Sequence, residues 1–287
     1  MSRVVLVTGA SSGIGRAVCL ALADRGDSLV LVARRRRELE EVAEICRRRG
    51  APRVLVTPAD VTDLDAWQAA FTEAVAGLGG VDVVVHSAAV AAYGRFTDVP
   101  PEVFDRVQEV NVRGTANVAR SALRLFGTQG RGHLVVLGSL VGTISTPLLS
   151  PYVTSKWAVH GLTRTLQAEH QGDQVSISLV EPGGVSTTIY DKAASYLGVQ
   201  GKPPPPVYDV RRAASAVLDV IDRPRREVSV GVLNPLVTAG FRLLPAVFDR
   251  IVGPLMSRLA LANLPVSDHT GNLFETSAEP EEVEALR

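Results

Sequence analysis

Val4-Val5-Leu6-Val7-Thr8-Gly9-Ala10-Ser11-Ser12-Gly13-Ile14-Gly15 decides the fold. Its first four residues form a short apolar run of the kind buried on both faces of a parallel sheet. Glycines follow at once, and the pattern from Arg16 to Arg25 predicts a helix. Strand, glycine-rich turn and helix in that order build an anion site. Glycine lets the backbone come close to the anion, and a helix N-terminus favours negative charge. A pyrophosphate suits such a turn, with Gly9, Ser11, Ser12, Gly13, Ile14 and Gly15 as candidate binding residues. The spacing is Gly-x-x-x-Gly-x-Gly, wider than the Gly-x-Gly-x-x-Gly fingerprint.

Strands and helices alternate beyond it. Further strands are predicted over 28–33, 53–57, 81–85, 133–137, 175–180 and 227–232, with helices over 38–49, 64–76, 101–124, 152–169 and 208–221. Such alternation argues an α/β fold, a Rossmann-like doubly wound parallel sheet flanked by helices, with binding at the carboxyl ends of the strands. The 287 residues suit one large α/β domain or two small ones. With 46% hydrophobic and 21% charged residues the chain has material for a generous core. Thirty Lys and Arg against thirty Asp and Glu give no basic excess for nucleic acid. Cys19 and Cys46 suggest a reduced protein, the N-terminus shows no signal-peptide pattern, and no apolar run reaches the ~18 residues of a membrane span. These features set a cytoplasmic expectation.

The second strand ends in Arg34-Arg35-Arg36-Arg37. An NAD-selective fold places Asp or Glu here for the ribose 2′-hydroxyl. Cations at a helix start oppose the dipole, and a bound 2′-phosphate would offset that, which points to NADP(H) over NAD(H), with Arg34 and Arg35 on the phosphate. Arg34, Arg36 and Arg37 can also pair with Glu38, Glu40 and Glu41 one turn on, as a solvated helix start.

Ser139 follows the apolar run of the fifth strand; Tyr152 lies thirteen positions on, and Lys156 one helical turn later. Positions i and i+4 share a helix face, so Tyr152 and Lys156 point the same way. A phenol has a pKa near 10, and a neighbouring ammonium favours the phenolate, so a tuned Tyr152 can exchange a proton with an alcohol or ketone oxygen that Ser139 holds.

Ser followed by Tyr-x-x-x-Lys resembles the active site of the short-chain dehydrogenase/reductase family, and the wide glycine spacing is similar to that family's. The resemblance spans residues 3–233 in five ordered places. It implies an NADP-preferring oxidoreductase acting on a carbonyl/alcohol pair, with Ser139, Tyr152, Lys156 and Asn111 catalytic, Asn111 bending its helix and holding a water. It also implies adenine contacts from Asp60 and Val61, a backbone contact at Ala88, and a nicotinamide site at Pro182, Gly183, Val185 and Thr187. The family's NADP-dependent members show an Arg similar to Arg34 here, and members often self-associate, so the resemblance implies a homo-oligomer. Residues 86–89 read His-Ser-Ala-Ala where the family has Asn-Asn-Ala-Gly, which puts the usual bracing of the sheet centre in question; His86 reads as a core histidine. The alternative is a non-catalytic dinucleotide-binding sensor or scaffold on the same fold.

Residues 1–233 are thus expected to form the catalytic domain, with a substrate lid within 189–226. From Asn234 to Ala262 apolar residues recur at alternating steps of four and three, an amphipathic extension over 234–264 with possible breaks at Pro245 and Pro254. Packing against the domain or a partner subunit, peripheral membrane contact, and walling a lipophilic substrate pocket all fit it. The acidic tail, 265–287, is expected to be mobile. No metal-ligand cluster is apparent in the sequence.

Overall fold

A computed structural model describes residues 2–274. Its first half comprises β1 (Val4–Thr8), α1 (Gly13–Asp24), β2 (Ser28–Ala33), α2 (Arg36–Arg48), β3 (Val54–Pro58) and α3 (Leu64–Leu78). Next come β4 (Val83–His86), a short β5 (Ala92–Gly94), α4 (Pro101–Gln108), a π-helical turn (Glu109–Arg113), α5 (Gly114–Gln129) and β6 (Gly132–Leu137). After α6 (Ser150–Glu169) and β7 (Val175–Pro182) lie short strands β8 (Ala194–Tyr196) and β9 (Val199–Gly201), then α7 (Val210–Asp222) and β10 (Glu227–Val230). The chain continues through α8 (Asn234–Leu243), α9 (Pro245–Leu259) and β11 (Leu261–Pro265).

Seven strands form one sheet in the order β10-β7-β6-β4-β1-β2-β3, with every pair parallel. The apolar run of β1 is continuous because both faces are covered. Val5 and Val7 pack with Val18 and Leu22 of α1, Leu39 of α2 and Val217 of α7, whereas Leu6 faces Trp67 and Phe71 of α3 and Phe126 of α5. Neighbours of β1 leave to opposite sides, which opens a crevice at the carboxyl ends of β1 and β4.

Three segments depart from the sequence pattern. The helix expected over 101–124 is interrupted by the π-helical turn around Asn111. Residues 189–207, irregular by pattern, contribute β8 and β9, which pair with β5 and β11 respectively. The extension is two helices: it breaks at Pro245, where Leu244 turns to φ −132°, ψ 53°, while Pro254 lies inside α9. The start of the expected mobile tail is docked, with Leu273 fully buried, and residues 275–287 lie outside the described residues.

Two buried histidines stitch the sheet. His86 Nδ1 lies 2.8 Å from Thr8 Oγ1 across β4 and β1, and His133 Nε2 lies 2.9 Å from Ser178 Oγ across β6 and β7. Burial pushes His86 down to about 3, helped by the Lys156 charge, and His133 down to about 4, helped by Arg3. The unfolded chain takes up these protons near pH 6.5, and the folded protein only well below it. The unfolded state therefore binds more protons at these two sites in that window, so each of the two histidines lowers stability as pH falls through it. Urea unfolding at pH 7 and about pH 5 should show this drop, and His133→Gln should make it shallower.

Candidate active site

The glycine turn is shaped by close approaches. Gly9 has φ +67°, and a Cβ there would lie 2.9 Å from the Ala88 nitrogen; one on Gly15 would lie 2.3 Å from the Gly9 oxygen. Ser12 precedes α1 without a side-chain cap, so the first-turn N–H groups remain suited to an anion. The loop after β4 is braced by Thr8 in place of the family's asparagines. Thr8 Oγ1 accepts from the N–H of Ser87 at 3.2 Å and of Ala88 at 3.4 Å besides meeting His86.

From this turn a cavity of about 660 Å³ runs along the strand ends, a volume ordinary for a cofactor and substrate site. Gly9, Ser11, Ser12, Gly13 and Ile14 line one part, and Arg34, Arg35, Asp60, Val61 and Ala88 another. Ser139, Tyr152 and Lys156 lie along it with Pro182, Gly183, Val185 and Thr187. Gly15 and Asn111 do not line it; both act through residues that do.

At the end near β2, Arg35 is 2.9 Å from Glu38, Arg36 3.5 Å from Glu40 and Arg37 3.3 Å from Glu41. Arg34 does not pair with Glu38; it donates to the carbonyls of Asn272 at 2.8 Å and Leu273 at 3.4 Å. Asp60 Oδ1 accepts from the N–H and hydroxyl of Thr62, and its Oδ2 lies 3.1 Å from Arg106. Arg106 carried no signal in the sequence, because an arginine on a helix reads as a solvated charge.

Tyr152 and Lys156 project from one face of α6 toward Ser139 at the end of β6. Lys156 Nζ is 5.6 Å from the Tyr152 ring centroid and donates to the Leu137 carbonyl at 2.9 Å. Burial pushes Lys156 down to about 8. The expected lowering of Tyr152 is not found. Burial drives its phenol well above the usual range and the neighbouring Tyr190 adds to this, while a hydrogen bond with Ser139 works the other way. The reason is geometric: the ammonium sits over the ring and is tied to a carbonyl, so desolvation of the phenolate dominates.

Asn111 is fully engaged with protein. Its Nδ2 donates to Val90 O at 2.9 Å and Ser155 Oγ at 2.8 Å, and its Oδ1 accepts from Val90 N at 2.9 Å. Ser155 in turn donates to the Tyr152 carbonyl at 2.7 Å. The π-helical turn thereby locks the loop after β4 to the helix that carries Tyr152.

The remaining wall is apolar. Val237 of α8, Leu244 between the helices, and Val247, Phe248, Ile251 and Met256 of α9 line the cavity together with Leu140, Ile144 and Tyr190. An edge-to-face chain of Trp157, Phe241 and Phe248, with centroids 6.2 and 5.2 Å apart, docks these helices on α6. Away from the cavity the fold gathers His160, Glu181 and Glu227, with ligand-type atoms within 4.8 Å of one another. His160 Nδ1 lies 2.9 Å from Glu181 Oε1, which ties α6 to β7.

Comparison with known proteins identifies the family. A family model for short chain dehydrogenases matches residues 3–196. The chain belongs to the short-chain dehydrogenase/reductase family and is an oxidoreductase with an NAD(P)-binding Rossmann fold. Among relatives, an uncharacterized oxidoreductase, YxnA of Bacillus subtilis, is 30% identical over 267 residues, covering 92% of this chain and 75% of that protein. An alcohol dehydrogenase from the archaeon Thermococcus sibiricus complexed with 5-hydroxy-NADP superposes with a TM-score of 0.71 at 28% identity, over 80% of this chain and 95% of that one. A Burkholderia phymatum short chain dehydrogenase/reductase in complex with NAD gives 0.74 at 26% identity, over 88% and 96%.

Two helical glycines test the packing of the turn. Gly127 of α5 faces open space, so Gly127→Ala should raise the melting temperature, by up to about 1 kcal/mol in stability. Gly15→Ala must push against the Gly9 carbonyl and should lower both the melting temperature and dinucleotide affinity, read by calorimetry and NADPH fluorescence.

Proposed function

We propose that the protein interconverts a lipophilic ketone and its secondary alcohol with NADP(H). The observation that carries this reading is the convergence of Ser139, Tyr152 and Lys156 on one cavity that begins at the glycine turn and ends at the apolar wall of α8 and α9. The groove suits the cofactor: the positive φ at Gly9 and Gly13, the uncapped start of α1 and the Arg34 guanidinium match a pyrophosphate and a 2′-phosphate. Pro182, Gly183, Val185 and Thr187 would hold the nicotinamide carboxamide, and Asp60, Val61 and Ala88 would flank the adenosine.

When bound, the cofactor supplies or accepts the hydride. Tyr152, kept protonated by its buried setting, donates its proton to the ketone oxygen as negative charge develops there. Ser139 donates a hydrogen bond to that same oxygen. Lys156 supplies positive charge beside the phenol, favouring its loss of the proton, and has a further N–H for the ribose. Asn111 is a positioning residue that keeps the helix and loop in register through Ser155 and Val90, its side-chain amide being taken up by protein partners. With NADPH and a panel of bulky ketones, Tyr152→Phe should lower kcat by about a thousandfold, and the wild-type rate should fall as pH rises above about 8, where Lys156 loses its charge. Equal rates for the two proteins would favour a non-catalytic dinucleotide sensor.

The outer face of the same helices supports peripheral contact with an anionic membrane. Leu236 and Leu243 are 70% and 76% exposed, Arg242, Arg250 and Arg258 are exposed beside them, and Asp249 is the one acid in residues 234–259. Among the described residues no helix is long and apolar enough to cross a membrane. Wild-type protein should co-sediment with phosphatidylserine vesicles, and the double variant Leu236→Glu/Leu243→Glu should remain in the supernatant with its ketone reduction retained.

A further inference from the structure

Residues 261–274 form an arm that returns from the helical hairpin to the far end of the cofactor groove. It first pairs with β9 through β11. His269 and Ser195 then exchange two main-chain hydrogen bonds, each 3.1 Å, and the Asn272 N–H donates to Lys192 O at 3.0 Å. Gly271, at φ +53°, passes so close to the chain that a Cβ would lie 2.2 Å from the Lys192 oxygen. Leu273 ends fully buried among Val90, Val103, Val107, Val110 and Ala194. That anchor fixes two carbonyls in space. Arg34 donates to both, and Arg106 Nε donates to the Leu273 carbonyl at 3.1 Å.

The chemistry of these partners matters. Arg35, Arg36 and Arg37 each lie within ion-pair distance of a glutamate, and Arg106 meets both Asp60 and Glu109. Arg34, which lines the cavity together with Asn272, is held by carbonyls. A neutral acceptor orients a guanidinium without cancelling its charge, whereas a carboxylate would compete with an incoming phosphate. A guanidinium has five N–H donors, and these two bonds leave donors over for a phosphate. Arg106 contributes by engaging the Asp60 carboxylate, whose charge acts on Arg34.

We propose that the C-terminal arm is a specificity-determining part of the dinucleotide site: anchored by Leu273, its Asn272 and Leu273 carbonyls position Arg34 for the 2′-phosphate of NADP(H). This rests on the NADP(H) reading above, and the test separates the two. Titration calorimetry with 2′,5′-ADP and 5′-AMP gives the preference for a 2′-phosphate directly, without turnover. The wild-type protein should prefer 2′,5′-ADP by about tenfold or more, the scale of one charge-assisted contact. Leu273→Ala should remove most of that preference and leave 5′-AMP affinity within about twofold. In an Arg34→Ala background the same substitution should change nothing further, which a merely structural role for Leu273 would not produce. Leu273→Val, and a chain ending at Asp268, serve as graded variants where Leu273→Ala does not fold by circular dichroism. A wild-type protein without the preference overturns the NADP(H) reading and this one together. A wild-type preference that survives loss of the arm, or grows because the arm competes with phosphate, overturns the arm's role alone.

Discussion

The close contact between the β1–α1 turn and the loop after β4 is the constraint on which the site depends. With Gly15 against the Gly9 carbonyl and Gly9 against Ala88, the first helix starts directly over the sheet, and its N-terminus aims along the crevice. Any side chain at these positions would lift the helix or part the two loops. The crevice exists because β2 and β4 leave β1 in opposite directions; the glycines keep it narrow enough for backbone N–H groups to act on a ligand. Thr8 holds the second wall in place by accepting from two successive N–H groups of the β4 loop. A threonine hydroxyl and a histidine here meet the bracing requirement usually met by two asparagines.

Burial governs the electrostatics at the other end of the cavity. Simple proximity suggests that Lys156 lowers the Tyr152 pKa. In the folded chain desolvation acts on both groups, raising the phenol and lowering the ammonium to about 8. The pair is thereby biased toward a protonated tyrosine beside a lysine that is charged near neutral pH. In the proposed reaction that state is ready to protonate a ketone oxygen, and the alcohol direction requires further positive charge in the groove to favour the phenolate. The same burial keeps His86 neutral next to Lys156.

The sheet and its helices were legible because a doubly covered parallel strand writes a continuous apolar run, and the amphipathic helices between write a regular period. Ser28–Ala33 and Leu64 onward were read at their observed positions for that reason. Local rules carried less information where tertiary contacts decide. The π-helical turn at Asn111 arises from hydrogen bonds to Val90 and Ser155, which are distant in sequence. Strands β8 and β9 are three residues each, too short to show a period, and form only because β5 and β11 offer edges. Pro245 and Pro254 look alike as letters, yet only the first ends a helix, since Leu244 before it turns out of helical geometry. At the site, the glycine turn, Ser139, Tyr152 and Lys156 were found by spacing. Arg106, Tyr190 and the arm were not, because nothing periodic marks a residue whose role is set by contacts with other elements of the fold.

The family match ends at residue 196, and the apolar wall of the cavity and the arm at its other end lie beyond it. Helices α8 and α9 wall the end where Tyr152 sits, and the following arm reaches the end where Arg34 sits. Both belong to one continuous stretch of chain, and the arm is hydrogen-bonded to the 189–201 segment that neighbours both ends. The sheet and its helices therefore supply the crevice and carry the candidate reacting groups, while a single C-terminal excursion shapes both mouths. In the proposed reaction, substitutions in that excursion would act on which ketone and which dinucleotide are accepted without touching Ser139, Tyr152 or Lys156. A fold whose chemistry is fixed at strand ends can change specificity in this way, because loops and appended helices bear little of the core's packing.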